Sequence, residues 1–537
     1  MTGPVRLYRD TAGLDPAALR PGADLVLDPR PEHGLALPHG VAVDDHLDPA
    51  ARMRADREAL AALAAWRALH GPALTVDGTD LGFVWEVELL AQCFLPAARL
   101  RLALEAAGIT DVAGAGLDAD LLGTVADAGV TVHGYGAPTV VAPPPRPTIP
   151  LMTRLVGRST IPPRVRGDVL AMSYWQLEPV WERLAGAAQV RLVPGGLVLP
   201  GVGRVTALRT AARNGWSGHP SQAARRRSAQ RLAAALDGRA APTDALDRAA
   251  RSVLRRWAGE TLARADHWRR VMASDRLKLA VLPFDSPDES RIAIAAAHAA
   301  GVTTLVVQHG FDALLGDPDK TVARHVALWS EHDVAPLRAH TDAQLHVTGN
   351  PGGVRLAGGA IEAAGDPRRA IVLVEYPSRM SARLDARIGL QHVAAALDLL
   401  ERDRPGTEVV VRPHPSDPAP GSYLPLVAGR DLRVSVDQTT PIEPLLGTAG
   451  LCVGALSTAT LQSAALGVPT VFLDVSGIER PWPFDGAPDG LPRVTGDDGS
   501  LDAVPDAPRA AAREALGARA DATERVAELI SSIAAGT

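Results

Sequence analysis

Short apolar runs rich in β-branched residues alternate along the chain with longer stretches rich in Ala, Leu and Arg. A run of four to eight apolar residues closed by turn residues reads as a buried strand, whereas apolar positions three and four apart read as one face of a helix. In the first half this predicts strands at 24–28 ("DLVLD"), 73–78 ("ALTVDG") and 131–136 ("TVHGYG"), with helices over about 49–70 and 84–107. Strand and helix in alternation build βαβ units and a parallel sheet. The segment "GAPTVVAPPPRPTIP" (136–150) then reads as a linker or long surface crossing, because proline has no amide to give a sheet. The strand pattern resumes at 168–174 ("DVLAMSY") and 189–199 ("QVRLVPGGLVL"), and residues 206–273 read as almost wholly helical.

From Leu277 the rhythm sharpens. Strand runs "LKLAVLPFD" (277–285), "VTTLVVQHG" (302–310), "HVALWSEHD" (325–333) and "QLHVTGNPG" (344–352) accompany a helix over 289–301. A second series opens with "RAIVLVEYPS" (369–378) and a helix near 384–402. It continues through "EVVVRPHPSD" (408–417), "DLRVSVD" (431–437), "GLCVGALS" (450–457), a further helix and "PTVFLDV" (469–475). A chain of 537 residues exceeds a single core, so two α/β domains are expected. We divide it into 1–345, with the crossing 136–150 and the helical insert 206–273, then 346–505, then an amphipathic helix pair over 506–537 that can pack on either domain.

Composition narrows the function. A net charge of −6 lacks the basic excess that nucleic-acid binding needs, and 4% aromatic residues are too few for base-stacking platforms. Cys93 and Cys452 sit in apolar runs and read as buried thiols in a reducing compartment rather than as a disulfide or metal pair. "MTGPVRLYRDTAG" lacks the apolar centre of a signal peptide, and no run of about 18 apolar residues occurs, so a cytoplasmic protein is expected. The basic stretch "AARRRSAQR" (223–231) has two readings: a solvated helix face, or a docking surface for an anionic polymer or the inner face of a membrane.

Four loops follow strands at their carboxyl ends, the edge at which open parallel sheets bind ligands. In "VVQHGFD" (306–312), Gln308 and His309 precede Gly310, which permits a tight turn and close ligand approach. His309 is placed either to accept a hydroxyl proton near neutral pH or simply to complete a turn. In "VVVRPHPSD" (409–417), Arg412 is a permanent fork suited to phosphate and His414 adds a donor between two rigid prolines, an anion contact unless the loop is an ordinary one. Ser457 and Thr458 stand where a strand becomes a helix, so they cap it and, with the free amides there, can hold a phosphate. Asn350-Pro351 is ordinary turn chemistry and can be a domain hinge.

Taken in order, "QHG", "TGNP", "RPHP" and the small-residue "STA" turn resemble the GT-B glycosyltransferases of bacterial surface-polymer synthesis. These include polysialyltransferase-like and capsule-polysaccharide transferases and the CDP-glycerol glycerophosphotransferases. The resemblance covers roughly residues 277–475; the first 270 residues match only a general α/β pattern. It implies two doubly wound parallel-sheet domains facing an interdomain cleft, 1–345 on the acceptor side and 346–505 holding the nucleotide. The family's HP motif falls on His414 and Pro415, which would contact the donor's phosphate, and its serine/threonine motif on Ser457 and Thr458. The histidine of an "HGT"-like loop matches His309 as base, although Phe311 stands where the family has threonine; Asp285, in "PFDSPDES", matches the acidic base of the sialyltransferase relatives. Gln462 lies near the ribose-binding glutamate of many GT-B enzymes.

The resemblance implies transfer of a sugar-type group, or a glycerophosphate, from a CMP-, CDP- or UDP-linked donor to a hydroxyl of a glycan or lipid-linked acceptor. No cofactor is implied. No DxD pair closes a clear strand and no metal-ligand spacing occurs, so the sequence does not call for a bound metal. The alternatives are a nucleotide-sugar epimerase of GT-B shape and a non-catalytic nucleotide- or glycan-binding partner.

Overall fold

The structure is a computed structural model. It describes residues 4–29, 36–70, 74–135 (77 excepted), 167–185 (173–174 excepted), 192–194, 222–237, 242–310 (274–275 and 286–287 excepted), 321–353 (339–340 excepted), 356, 365–376, 385–477 (386 and 418 excepted) and 491–536 (496–498, 502–503 and 505 excepted). The proline-rich crossing 136–150, residues 206–221 of the helical insert and Phe311 lie outside the described residues.

The chain is α/β with parallel sheets, as its pattern of alternation predicts. The first sheet is four-stranded: β1 (Val5–Tyr8), β2 (Asp24–Val26), β3 (Asp111–Gly114) and β4 (Thr131–Tyr135) in the order β2-β1-β3-β4. The middle sheet has six strands: β5 (Val169–Ala171), β6 (Leu192–Pro194), β7 (Leu279–Leu282), β8 (Thr303–Val307), β9 (His325–Leu328) and β10 (Gln344–Val347), in the order β10-β9-β8-β7-β5-β6. The third, also six-stranded, contains β11 (Asp366–Leu373), β12 (Glu408–Arg412), β13 (Arg433–Val436), β14 (Ala449–Gly454), β15 (Thr470–Asp474) and β16 (Arg493–Thr495), ordered β13-β12-β11-β14-β15-β16. Two parallel sheets are thus complete by Val347, two residues past the boundary expected at 345.

Two expectations change in detail. Residues 73–78 give a two-residue antiparallel ribbon, Thr75–Val76 with Thr79–Asp80, because Gly78 at φ 76° turns the chain straight back. The helix expected over 84–107 is broken into Leu81–Val84, Glu86–Leu89, a wide turn over Leu90–Phe94, and a helix over Leu95–Ala106. Pro96 has no amide hydrogen for the regular ladder, and the wide turn, with the Leu95 amide on the Leu90 carbonyl, accommodates it.

Why the third sheet reads as unbroken apolar runs is visible in its two faces. Ile371, Leu373, Val410 and Cys452 point to one apolar cluster, and Ala370, Val372, Val409, Val411 and Val453 to the other. A sheet covered on both sides must be apolar at every position. Cys93 and Cys452 are free and buried, and burial pushes both thiols up to about 12.

The C-terminal helices touch both six-stranded sheets. Arg509–Ala515 packs into the cluster of the third sheet, while Ala522–Ala535 lies on the middle sheet with Val526, Ala527 and Ile530 buried beside Leu279, Val281 and Leu305. No described helix is long and apolar enough to cross a membrane.

Candidate functional site

β11 is followed by β12 and β13 on one side and by β14, β15 and β16 on the other, so the strand order reverses beside it. At such a reversal the connections diverge and leave a crevice at the carboxyl edge. Leu373 at the end of β11 pairs with Arg412 on one side and Gly454 on the other. The "RPHP" loop and the Ser457 turn therefore leave the sheet two strand spacings apart, about 10 Å, with the β11 loop between them.

His414 is well defined in this edge. Its ring stacks on Tyr376 from the β11 loop, centroids 4.8 Å apart and planes within 11°. Its Nδ1 accepts the Ser416 amide at 3.1 Å. A neutral imidazole that accepts at Nδ1 carries its proton at Nε2, so the outer nitrogen is a donor. Loss of hydration on the packed side holds the ring below the usual histidine range, and Arg412 pushes the same way, while Asp417 opposes both. The Tyr376 hydroxyl donates to the Ser416 carbonyl at 3.2 Å, which fixes the stack. Gln438 donates to the carbonyls of His414 and Asp417, and the buried Tyr423 hydroxyl donates to Asp417 Oδ2 at 2.7 Å.

Ser457 caps the helix Thr458–Leu466, its hydroxyl accepting the Thr460 amide at 3.3 Å from an extended backbone. Thr458 is the first helical residue and Gln462 lies one turn further on; both are half-buried. Thr460 turns inward, donating to the Ala455 carbonyl. A Cβ on Gly454 would stand 2.2 Å from Thr460 Oγ1, so glycine is what lets helix and strand close up here. Arg412 is buried at the end of β12; it donates to the Asp437 carbonyl at 3.0 Å and lies 3.7 Å from the Asp437 carboxylate. The fork thus ties the loops after β12 and β13 together, with one of its nitrogens committed to that tie.

On the middle sheet, His309 follows β8 and sits half-buried against Phe284, ring centroids 5.3 Å apart. Burial lowers its pKa, and a hydrogen bond to the Pro283 backbone offsets part of that. With one ring N–H held by a carbonyl, the other nitrogen of the neutral ring keeps its lone pair. Asp285 is more enclosed: its carboxylate accepts the Val322 amide at 2.9 Å, with further backbone bonds from Ala323 and its own amide. Burial pushes it up to about 6. Asp285 therefore holds the chain at 322–323 against the β7 loop.

Gln308 and Asn350 are spent inside the fold. The Gln308 side chain accepts the Trp329 amide at 2.8 Å and donates to the Gly310 carbonyl at 3.3 Å. Asn350 donates its amide to the Gly517 carbonyl at 2.8 Å and accepts the Gly352 amide at 2.9 Å, so it shapes the turn Pro351–Gly353. Trp329, one residue past β9, is buried in the same apolar cluster as Leu373 and Leu456, at the ends of β11 and β14. Trp329 thus ties the strand that bears it to the apolar core of the third sheet.

Three residues of this edge escaped sequence reasoning: Tyr376, Glu375 and Trp329. The signal for the first two was a polar doublet, "EY", directly after the buried run of β11. Trp329 carried no local signal.

No family model and no curated protein matches the sequence. Among solved structures the chain is similar to MurG of Acinetobacter baumannii, at 13% identity over 68% of this chain and 99% of that one, with a TM-score of 0.34. It is also similar to a UDP-glucosyltransferase from Polygonum tinctorium, at 14% identity over 71% of this chain and 100% of that one, TM-score 0.35. A third is S. aureus TarM, solved with UDP, at 10% identity over 51% of this chain and 55% of that one, TM-score 0.29. At these values the function rests on the residues themselves.

Proposed function

We propose that this chain is a GT-B-type transferase. It moves a sugar-type group, or a glycerophosphate, from a nucleotide-activated donor to a hydroxyl of a surface-glycan, capsule or lipid-linked acceptor. The observation that carries this reading is the edge beside β11, where an imidazole donor at His414 and the N-terminus of the Ser457-capped helix follow the two strands that flank β11. In sugar transfer the acceptor oxygen forms a bond to the anomeric carbon while the bond from that carbon to the phosphate oxygen breaks. The electron pair leaves with the phosphate, and the acceptor's proton passes to a base.

Charge growing on the departing phosphate is what donors fixed in advance stabilise best. The Nε2–H of His414, the hydroxyls of Ser457 and Thr458, and the helix amides are suited to that task. Arg412 adds a positive field from beneath the loop, and Gln462 is suited to a ribose hydroxyl. His309 is the preferred base, because burial lowers its pKa and favours the neutral ring, the form able to accept a proton, while Asp285 is occupied by backbone amides.

Calorimetry with CMP, CDP and UDP on the wild type and His414→Ala tests the site. The substitution is expected to weaken the preferred nucleotide about ten-fold or more, the worth of one hydrogen bond to a charged group, with the melting midpoint kept. Unchanged affinity would refute the phosphate role. Turnover of a nucleotide sugar without any acceptor would favour an epimerase, and binding with no turnover against any acceptor a non-catalytic partner.

A further inference from the structure

Two side-chain bonds join the His309 loop to Trp329, the residue that follows the neighbouring strand β9. The Trp329 amide donates to the Gln308 side-chain oxygen at 2.8 Å, and the Trp329 indole N–H donates to the Gln308 backbone carbonyl at 2.8 Å. Gln308 is 2% exposed and Trp329 1%, so neither bond competes with water. Behind them Asp333 is fully buried and takes hydrogen bonds from Ser330 and Gln308. The indole itself does not lie in the core of the sheet that bears it. It belongs to the apolar cluster of the third sheet, with Leu373, Leu456, Leu461 and Leu516. The Trp329 carbonyl is pressed against Gly517, where a Cβ would stand 2.2 Å away, so the returning C-terminal segment packs directly on the Trp329 backbone.

We infer that Trp329 and Gln308 form a clamp that positions His309 relative to the phosphate turn: Trp329 reads the packing around Leu456, the neighbour of Ser457, and Gln308 passes it to the loop that carries His309. The inference rests on the proposed transferase reading, and both residues act as positioning residues. A base one ångström out of place loses much of its rate while the donor still binds, because orientation and affinity are separate contributions.

Trp329→Phe keeps an aromatic ring and deletes one N–H; Gln308→Met keeps length and deletes the amide. Each is expected to lower kcat ten-fold or more while the nucleotide Kd, measured by calorimetry, stays within two-fold. Because they act on one pair of bonds, the double variant is expected to lose little more than the worse single one. Hydrogen exchange of the peptide 303–310 is expected to quicken in both variants. A wild-type kcat in Trp329→Phe, or a fall in kcat matched by an equal loss of nucleotide affinity, overturns the clamp. If the wild-type protein neither binds nucleotide nor turns over, the transferase reading has failed instead. The exchange measurement then decides the clamp alone: quickened exchange at 303–310 sustains it and unchanged exchange overturns it.

Discussion

At the scale of single residues, the two histidines differ in how the backbone holds each ring. His414 accepts a backbone amide at Nδ1 and so presents a donor, as a phosphate contact requires. His309 donates an N–H to the Pro283 backbone, and burial favours its neutral form, the form a base requires. Burial lowers the pKa of His309, so the neutral form that can accept a proton persists below the usual pH near 6.5. Activity limited by this base, followed as kcat/KM, is expected to rise with pH through that lowered value and then stay level. His309→Ala is expected to cut kcat by about 10²–10⁴-fold and remove the acid limb, with nucleotide affinity retained. An acid limb that survives the substitution would transfer the role to another group. The same lowering has a sign for stability. Below pH 6.5 the unfolded chain binds this proton more readily than the folded one, so the contribution of His309 is present above that value and is lost as pH falls.

At the scale of elements, the site is made by how strands end. The strands of the third sheet were legible because both faces are buried, which leaves runs such as Ala370–Leu373 and Val409–Val411 without a polar position. The loops after them were legible as far as their chemistry is local: Arg412, His414 and the capping Ser457 lie in sequence beside the strands that position them. What the sequence hid is contact across distance. Nothing near Trp329 signals that its ring enters the core of another sheet, and nothing near Asp285 signals that its carboxylate will be filled by amides from residues 322 and 323. Gly454 is a case in which glycine matters for closeness, since the Thr460 hydroxyl and methyl occupy the space beside it. Gly454→Ala is expected to displace the start of the helix Thr458–Leu466, costing about 1–3 kcal/mol of stability and weakening nucleotide binding. Paired with Thr460→Ala, which empties that space, much of the stability should return. A Gly454→Ala protein with wild-type urea midpoint and affinity would show that the turn tolerates the shift.

At the scale of the molecule, the first sheet is fastened to the third through a buried group of ions. Arg387, just before the helix Ile388–Asp403, pairs with Asp45 at 2.7 Å and with Asp385 at 2.8 Å, and Arg52 lies 3.9 Å from Asp385. Asp44, close behind, is paired with Arg99. This fastening adjoins the proposed donor edge, because the helix begins where Gly389 abuts the Glu375 carbonyl and the Tyr423 hydroxyl. Although burial opposes it, pairing with Arg387 holds the Asp385 carboxyl below its ordinary value. A depressed carboxylate stabilises the fold above its unfolded pKa and gives that up as pH falls through the folded one, so this junction should open first in acid. Removing the cation leaves two desolvated carboxylates beside each other, which costs about 3–5 kcal/mol, whereas Asp45→Asn leaves Arg387 paired with Asp385. Arg387→Ala is therefore expected to lower the urea midpoint well below that of Asp45→Asn, and to expose the chain near residues 44–52 to proteolysis. Equal midpoints for the two variants would mean that Asp385 draws its compensation from Arg52 and Gln391, and that Arg387 serves the first sheet alone.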